Sequence, residues 1–159
     1  MKKFSEVFKE EFYQKMLKPN GSNPVRNRAD SFLKVFEILE SKEKSSFTII
    51  ETGCMRSDHG KLCFGDDGCS TYIFDKFINF YDGCVLSVDI SAENCEHARS
   101  LVSAKTKITN DDSVSFLWNL KYEDEIDFLY LDSFDVSKEN PHPSQLHHIK
   151  ELCAIISKL

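Results

Sequence analysis

The stretch Phe47-Thr48-Ile49-Ile50-Glu51-Thr52-Gly53 decides the reading of this chain. It is a short, β-branched apolar run closed by an acid and a glycine. That is the pattern of a strand buried on both faces, as in a parallel sheet. A polar, glycine-bearing loop follows, and then Gly68-Cys69-Ser70-Thr71 opens a segment with Ile73, Phe74, Phe77 and Ile78 at helical spacing. Ser70 is expected to cap that helix, over residues 71–81. A second apolar run, Val85-Leu86-Ser87-Val88-Asp89, again ends in an acid. Strand, glycine turn, helix, strand and terminal acid is the layout of a nucleoside half-site in an open α/β sheet.

Working outward, Phe4, Phe8, Phe12 and Met16 recur every four residues, with Tyr13 and Leu17 beside them. This predicts an amphipathic helix. Pro19-Asn20-Gly21-Ser22-Asn23-Pro24 breaks it, and a second helix is expected over residues 26–41 with Phe32, Val35, Phe36 and Leu39 on one face. Residues 1–45 therefore read as a helical extension packed against the sheet. Beyond Asp89, Ser91 is expected to cap a helix carrying Cys95, Ala98, Leu101 and Val102. A strand over 105–109 and a helix over 113–121, with Val114, Leu117 and Trp118 inward, come next. Glu123-Asp124-Glu125 reads as a solvated turn before a fourth strand over 126–132. The last predicted helix spans 144–158, with Leu146, Ile149, Cys153 and Ile156 at helical spacing. Alternating strands and helices predict one α/β domain with a parallel sheet, its core over residues 46–159.

The 159 residues suit a single domain with a sizeable core. With 41% hydrophobic and 29% charged residues, and no apolar run of membrane-spanning length, the composition is that of a soluble protein. The first turns hold acids and no signal-peptide core, so the expected compartment is the cytoplasm. A net charge of −6 argues against a duplex nucleic-acid partner, and no membrane partner is expected. None of the six cysteines forms a Cys-x-x-Cys pair, and reduced, buried thiols are expected.

Chemistry is concentrated at the strand ends. Glu51, Asp89 and Asp132 close three predicted strands, and Asp111 and Asp112 follow another. A single such acid most simply caps the next helix; several on one edge of a sheet point to a ligand there. Asp89 suits a bidentate hydrogen bond to a ribose diol. Gly53 is followed by glycine only at Gly60, so the tight Gly-x-Gly-x-x-Gly turn of a pyrophosphate site is missing, and no Gly-Lys-Ser/Thr occurs. Glu51 beside the turn repels phosphate and favours a cation. S-adenosylmethionine fits these constraints, having a ribose diol, a positive sulfonium and no phosphate. The polar loop over 55–67 is expected to close over it.

Taken together, Ile50-Glu51-Thr52-Gly53, Gly68-Cys69-Ser70-Thr71, Ser87-Val88-Asp89, Asn110-Asp111-Asp112-Ser113 and the run 126–132 resemble the successive motifs of class I S-adenosylmethionine-dependent methyltransferases. The likeness is nearest to small members with an acid-x-Gly first motif. It implies a Rossmann-like parallel sheet of order 3-2-1-4 and methyl transfer to a small-molecule acceptor through a hydroxyl. It further implies Glu51 and Gly53 at the methionine end, with Gly68 and Ser70 beside the cofactor. Asp89 would hold the ribose, Asp112 and Ser113 would flank the adenine, and Asp132 would face the transferred methyl or a metal. Against that family the first loop is long and the C-terminal strands are missing. The uncovered fourth strand and the apolar last helix then predict either a truncated member of that family or a homodimer formed through the fourth strand or the last helix.

Asp132, Asp135, His142, His147 and His148 cluster in sequence, but adjacent His147 and His148 point about 100° apart on a helix. A divalent metal is weighed and not expected. His59, Cys63 and Cys69 match no zinc spacing. Asp132 and His59 are the candidate bases for an acceptor hydroxyl. The rival reading is a non-catalytic Rossmann-like domain that binds a nucleoside or a protein partner.

Overall fold

A computed structural model describes residues 2–17, 28–56, 62–65, 69–121 and 125–159. The apolar run forms β1 (Phe47–Thr52), buried along its whole length. With β2 (Gly83–Asp89), β3 (Thr106–Asn110) and β4 (Phe128–Leu131) it makes a four-stranded, all-parallel sheet of order β3-β2-β1-β4. The Rossmann-like class and strand order are thus as predicted. β4 is shorter than the apolar run because Asp127 is spent on anchoring the strand's start. Its backbone N–H donates to the Thr48 carbonyl, and its carboxylate accepts from the Thr48 N–H, Lys42 and Lys44. Burial opposes the charge of Asp127, yet Lys44, the Thr48 N–H and Lys42 outweigh it and hold the carboxyl below its ordinary range.

Alternation along β1 sends Phe47, Ile49 and Glu51 to one face and Thr48, Ile50 and Thr52 to the other. The first face carries the larger core. There α4 (Ser70–Phe80) and α3 (Ala29–Ser41) pack with the N-terminal segment, which comprises α1 (Phe4–Phe8), a π-helical turn (Lys9–Tyr13) and α2 (Gln14–Leu17). The π turn answers a geometric problem. Positions four apart on an α-helix rotate by about 40° per step, so a stripe at 4, 8, 12 and 16 would wander off the core. A wider turn in the middle unwinds that drift, and Phe4, Phe8, Phe12 and Met16 are all buried. Phe36 is the hub, with ring centroids 4.9 Å from Phe4, 5.2 Å from Phe8 and 5.3 Å from Phe77. Glu40 pins the segment: its carboxylate accepts from the Ser5 N–H, the Ser5 hydroxyl and the Tyr81 hydroxyl. The extension is a packing element, as expected.

On the second face Ile50 and Leu86 meet Leu117 of α6 (Ser113–Asn119) and Ala154 and Ile155 of α7 (His142–Ile155). α5 (Ala92–Arg99), capped by Ser91 as predicted, covers β3 through Cys95, Ala98 and Ile108. Cys54, Cys69 and Cys95 are buried, whereas Cys153 is exposed. No helix among the described residues is long and apolar enough to cross a membrane.

Two expectations fail, for Trp118 and for Ser70. Trp118 is 69% exposed, because fully buried Leu117 takes the inward position of a two-turn helix and its neighbour swings away. The helically spaced apolar residues of the last helix, Leu146, Ile149 and Ile156, are more than half exposed, and no inward position was expected of them. α7 instead turns Ser144, Glu151, Ala154 and Ile155 inward, since Glu151 and Ser144 have hydrogen-bond partners at the base of the helix. Ser70 is not a cap: Cys69 occupies that position with φ +50°, and Ser70 is the first helical residue. The chain break at 19–24, the solvated turn at Glu123-Asp124 and the loop glycine Gly60 lie outside the described residues.

Phe36→Ala is expected to destabilise the fold by about 3–5 kcal/mol, since the hub leaves a cavity among aromatic rings that cannot collapse. Ile38→Ala, two residues on and half exposed, should stay within about 0.5 kcal/mol of the parent. Urea unfolding of both variants checks the contrast.

Candidate functional site

The carboxyl ends of the four strands lie along one edge, and β1 is the point from which the strand order runs both ways. Ligands of open α/β sheets bind at such a switch point. Two contiguous hollows open there, sharing Gly53, Asp89, Ile90 and Ser133. One, of about 210 Å³, is closed by Asp112, Ser113, Phe134 and His147. The other, of about 420 Å³, is bordered by Arg56, Asn94, Asp132 and Asp135. Of the eight residues singled out from sequence, Gly53, Asp89, Asp112, Ser113 and Asp132 meet at this edge. Gly68 lies outside the described residues, and so does the candidate base His59.

Gly53 is where β1 leaves the sheet. Its φ of +82° suits glycine, and a Cβ there would stand 2.4 Å from the Asp132 carbonyl oxygen. The turn is therefore closed against the end of β4, with Asp132 N–H donating to the Thr52 carbonyl. One residue on, the Cys54 N–H donates to Asp89 Oδ2 at 3.0 Å, while the Ser91 N–H donates to Oδ1 at 2.7 Å. Asp89 thus presents a carboxylate held from both sides, with acceptor capacity left toward both hollows. Asp112 caps α6, accepting from the Ser115 N–H at 2.8 Å, and that bond holds its carboxyl below the usual carboxylate range. The Ser113 hydroxyl meets His147 Nε2 at 3.0 Å. Asp132 Oδ2 accepts from Arg28 at 3.3 Å and from the Tyr130 hydroxyl at 3.2 Å. Burial pushes the Tyr130 phenol well above its ordinary value.

Glu51 and Ser70 take a different place. Glu51 is wholly buried beneath the hollows, between β1, β2 and α4. Ser70 Oγ donates to one oxygen at 2.5 Å and Ser87 Oγ to the other at 2.7 Å. Removal from water is the main cause that pushes its carboxyl up to about 7. Thr71 Oγ1 accepts from the Met55 N–H, so the first turn of α4 is stitched to the start of the loop as well.

The edge also holds residues that the sequence does not single out, among them Ile90, Ser133 and Phe134, which border the hollows, and Glu151 behind them. Glu151 is completely buried; one oxygen accepts from the Ser133 hydroxyl at 2.5 Å, with His147 Nε2 at 3.5 Å. Its other oxygen and the Thr52 hydroxyl are buried without a protein partner among the described residues. The i,i+4 spacing of His147 and Glu151 was the available sequence signal. Because Ser113 and Glu151 approach the same nitrogen of His147, these groups do not form a serine–histidine–acid relay, which needs opposite ring nitrogens. Among the described residues no group of three His, Cys, Asp or Glu side chains is arranged to hold a metal ion.

No family model matches the chain, and no characterised protein or solved structure matches it.

Glu51 sets a pH dependence whose sign can be worked out. The folded chain keeps this proton up to about pH 7, whereas the unfolded chain releases it near 4.5, so stability falls as pH rises through that window. Glu51→Gln cannot ionise. Relative to the parent it should gain about 2–3 kcal/mol of unfolding free energy between pH 5 and pH 8. Urea titrations at both pH values test this, and parallel pH profiles for the two proteins would show that Glu51 does not titrate in that range.

Proposed function

We propose that this chain binds S-adenosylmethionine across the two hollows and passes its methyl group to the hydroxyl of a small molecule. The observation that carries the reading is Asp89. A braced carboxylate shared by two hollows suits a ribose diol, with the base on one side and the amino-acid tail on the other. The smaller hollow suits adenine, with Ile90 and Phe134 as apolar faces and Asp112 and Ser113 as polar edges. The larger one has a net acidic lining, Asp89, Glu93, Asp132 and Asp135 against Arg56, which pairs with Asp135; that balance suits a cation and opposes a pyrophosphate. Gly53 lets β1 turn tightly beneath Asp132, which brings both hollows to the end of that strand.

When bound, the cofactor supplies an electrophilic methyl on a sulfonium, so that a C–O bond forms as the C–S bond breaks and the electron pair stays on sulfur. The protein's part is to position and to keep water out. Asp132, at the end of β4, is the group available to take the acceptor's proton. Glu51 acts from below, by fixing the two elements that frame the hollows.

One observation favours the rival reading of a non-catalytic nucleoside-binding domain. The acid that the methyltransferase likeness would put at the methionine end is buried and saturated by Ser70 and Ser87. Tight cofactor binding with no methyl transfer to any acceptor would select that reading.

The expected homodimer has two features in its favour. The outer edge of β4 is unpaired among the described residues, and α7 exposes Leu146, Ile149 and Ile156. Light scattering at twice the monomer mass would support it, and a stable monomer at high concentration would contradict it.

For the cofactor, calorimetry should show S-adenosylmethionine binding to the parent and a ten- to hundredfold loss in Asp89→Ala, the effect of losing about 1.5–3 kcal/mol of charge-assisted hydrogen bonding. Equal affinity in the two proteins would remove Asp89 from the site. Preference for a nicotinamide cofactor would overturn the assignment.

A further inference from the structure

Asp132 borders a third cavity as well. This one, of about 310 Å³, lies between α3 and β4 on the side away from Asp89. Phe32 and Val35 of α3 and Phe128 and Tyr130 of β4 line it, and Arg28 and Asp132 supply its charge. The rings form a continuous wall, with centroids 5.9 Å apart for Phe32–Tyr130 and 6.3 Å for Phe128–Tyr130. The size falls at the lower end of small-molecule sites, and an apolar wall with a few convergent polar groups is their usual make-up.

We propose that this cavity binds a neutral, flat, mainly apolar molecule bearing one hydroxyl, which donates to the Asp132 carboxylate. The charge arrangement selects neutrality. Arg28 and Asp132 already pair at 3.3 Å, so the lining is balanced as it stands. An anion would have to draw Arg28 away and then face Asp132; a cation would meet the converse penalty. A neutral ring leaves the pair intact and stacks on the aromatic wall. The hydroxyl preference follows from Asp132, whose side chain is 39% exposed and is the one acid bordering both this cavity and the larger hollow. The identification of this ligand as the methyl acceptor rests on the methyl-transfer reading; its binding does not.

The test uses the full chain without cofactor and 2-naphthol as probe, followed by calorimetry and saturation-transfer NMR. Binding at about millimolar affinity or tighter is expected for a ligand of this size. Val35→Trp and Ser31→Trp fill the cavity from two positions on α3, Ser31 being exposed. Each should weaken binding at least tenfold with unchanged circular dichroism and unfolding midpoint. The anion 2-naphthoate should bind the parent more weakly than 2-naphthol, and Asp132→Asn should narrow that gap. No binding of 2-naphthol, binding by both tryptophan variants as tight as the parent's, or a preference for 2-naphthoate would overturn the proposal. A parallel titration with S-adenosylhomocysteine separates the two readings. A chain that takes naphthol but not the nucleoside keeps this cavity and loses the methyl-transfer reading; the reverse result loses the cavity alone.

Discussion

The carboxylate of Glu51 sits in the middle of the sheet, out of contact with water, between the hydroxyls of Ser70 and Ser87. A buried carboxylate left unpaired would cost several kcal/mol, so the two hydroxyls are bound to it as much as it is to them. The result is a rigid corner. The first turn of α4 is held against the ends of β1 and β2, and the strand can leave the sheet only along the path that Gly53 takes under Asp132. That path delivers the Cys54 N–H to Asp89. The geometry of Asp89 is therefore set three residues along the chain from the acid that is buried.

Three acids at three strand ends thus have three environments. Glu51 is sealed and serves the fold. Asp89 is braced by backbone N–H groups and open on two sides. Asp132 pairs with Arg28 and Tyr130 and stands between the larger hollow and the aromatic cavity. Their separation along the edge leaves the larger hollow and the aromatic cavity on either side of Asp132. The Arg28–Asp132 pair also ties the start of α3 to the site, so α3, which packs over the sheet, contributes one wall of the aromatic cavity.

Much of this was legible before any coordinates. The apolar runs at Phe47, Val85 and Ile126 and the helical spacing around Phe74 and Leu117 specify the elements, because burial on both faces of a strand or one face of a helix leaves its own period. What spacing does not reveal is which stripe of a helix faces in. α7 carries an apolar stripe through Leu146 and Ile149 and a polar one through Ser144 and Glu151, and hydrogen-bond partners on β4's loop drew the polar one inward. Ser70 was misread for a similar reason. Its cap propensity is local, whereas the buried carboxylate that claims its hydroxyl is nineteen residues distant in sequence. Gly53 was read for its freedom of turn, but its second constraint, the carbonyl of Asp132 against its missing side chain, comes from a strand about eighty residues later.

A crystal structure of the chain with S-adenosylhomocysteine tests the account most directly. The ribose hydroxyls should lie about 2.5–3.0 Å from the Asp89 carboxylate, the adenine between Ile90 and Phe134, and Glu51 should remain on Ser70 and Ser87. A nucleoside seated elsewhere, or a Glu51 that swings out to meet the ligand, would contradict it.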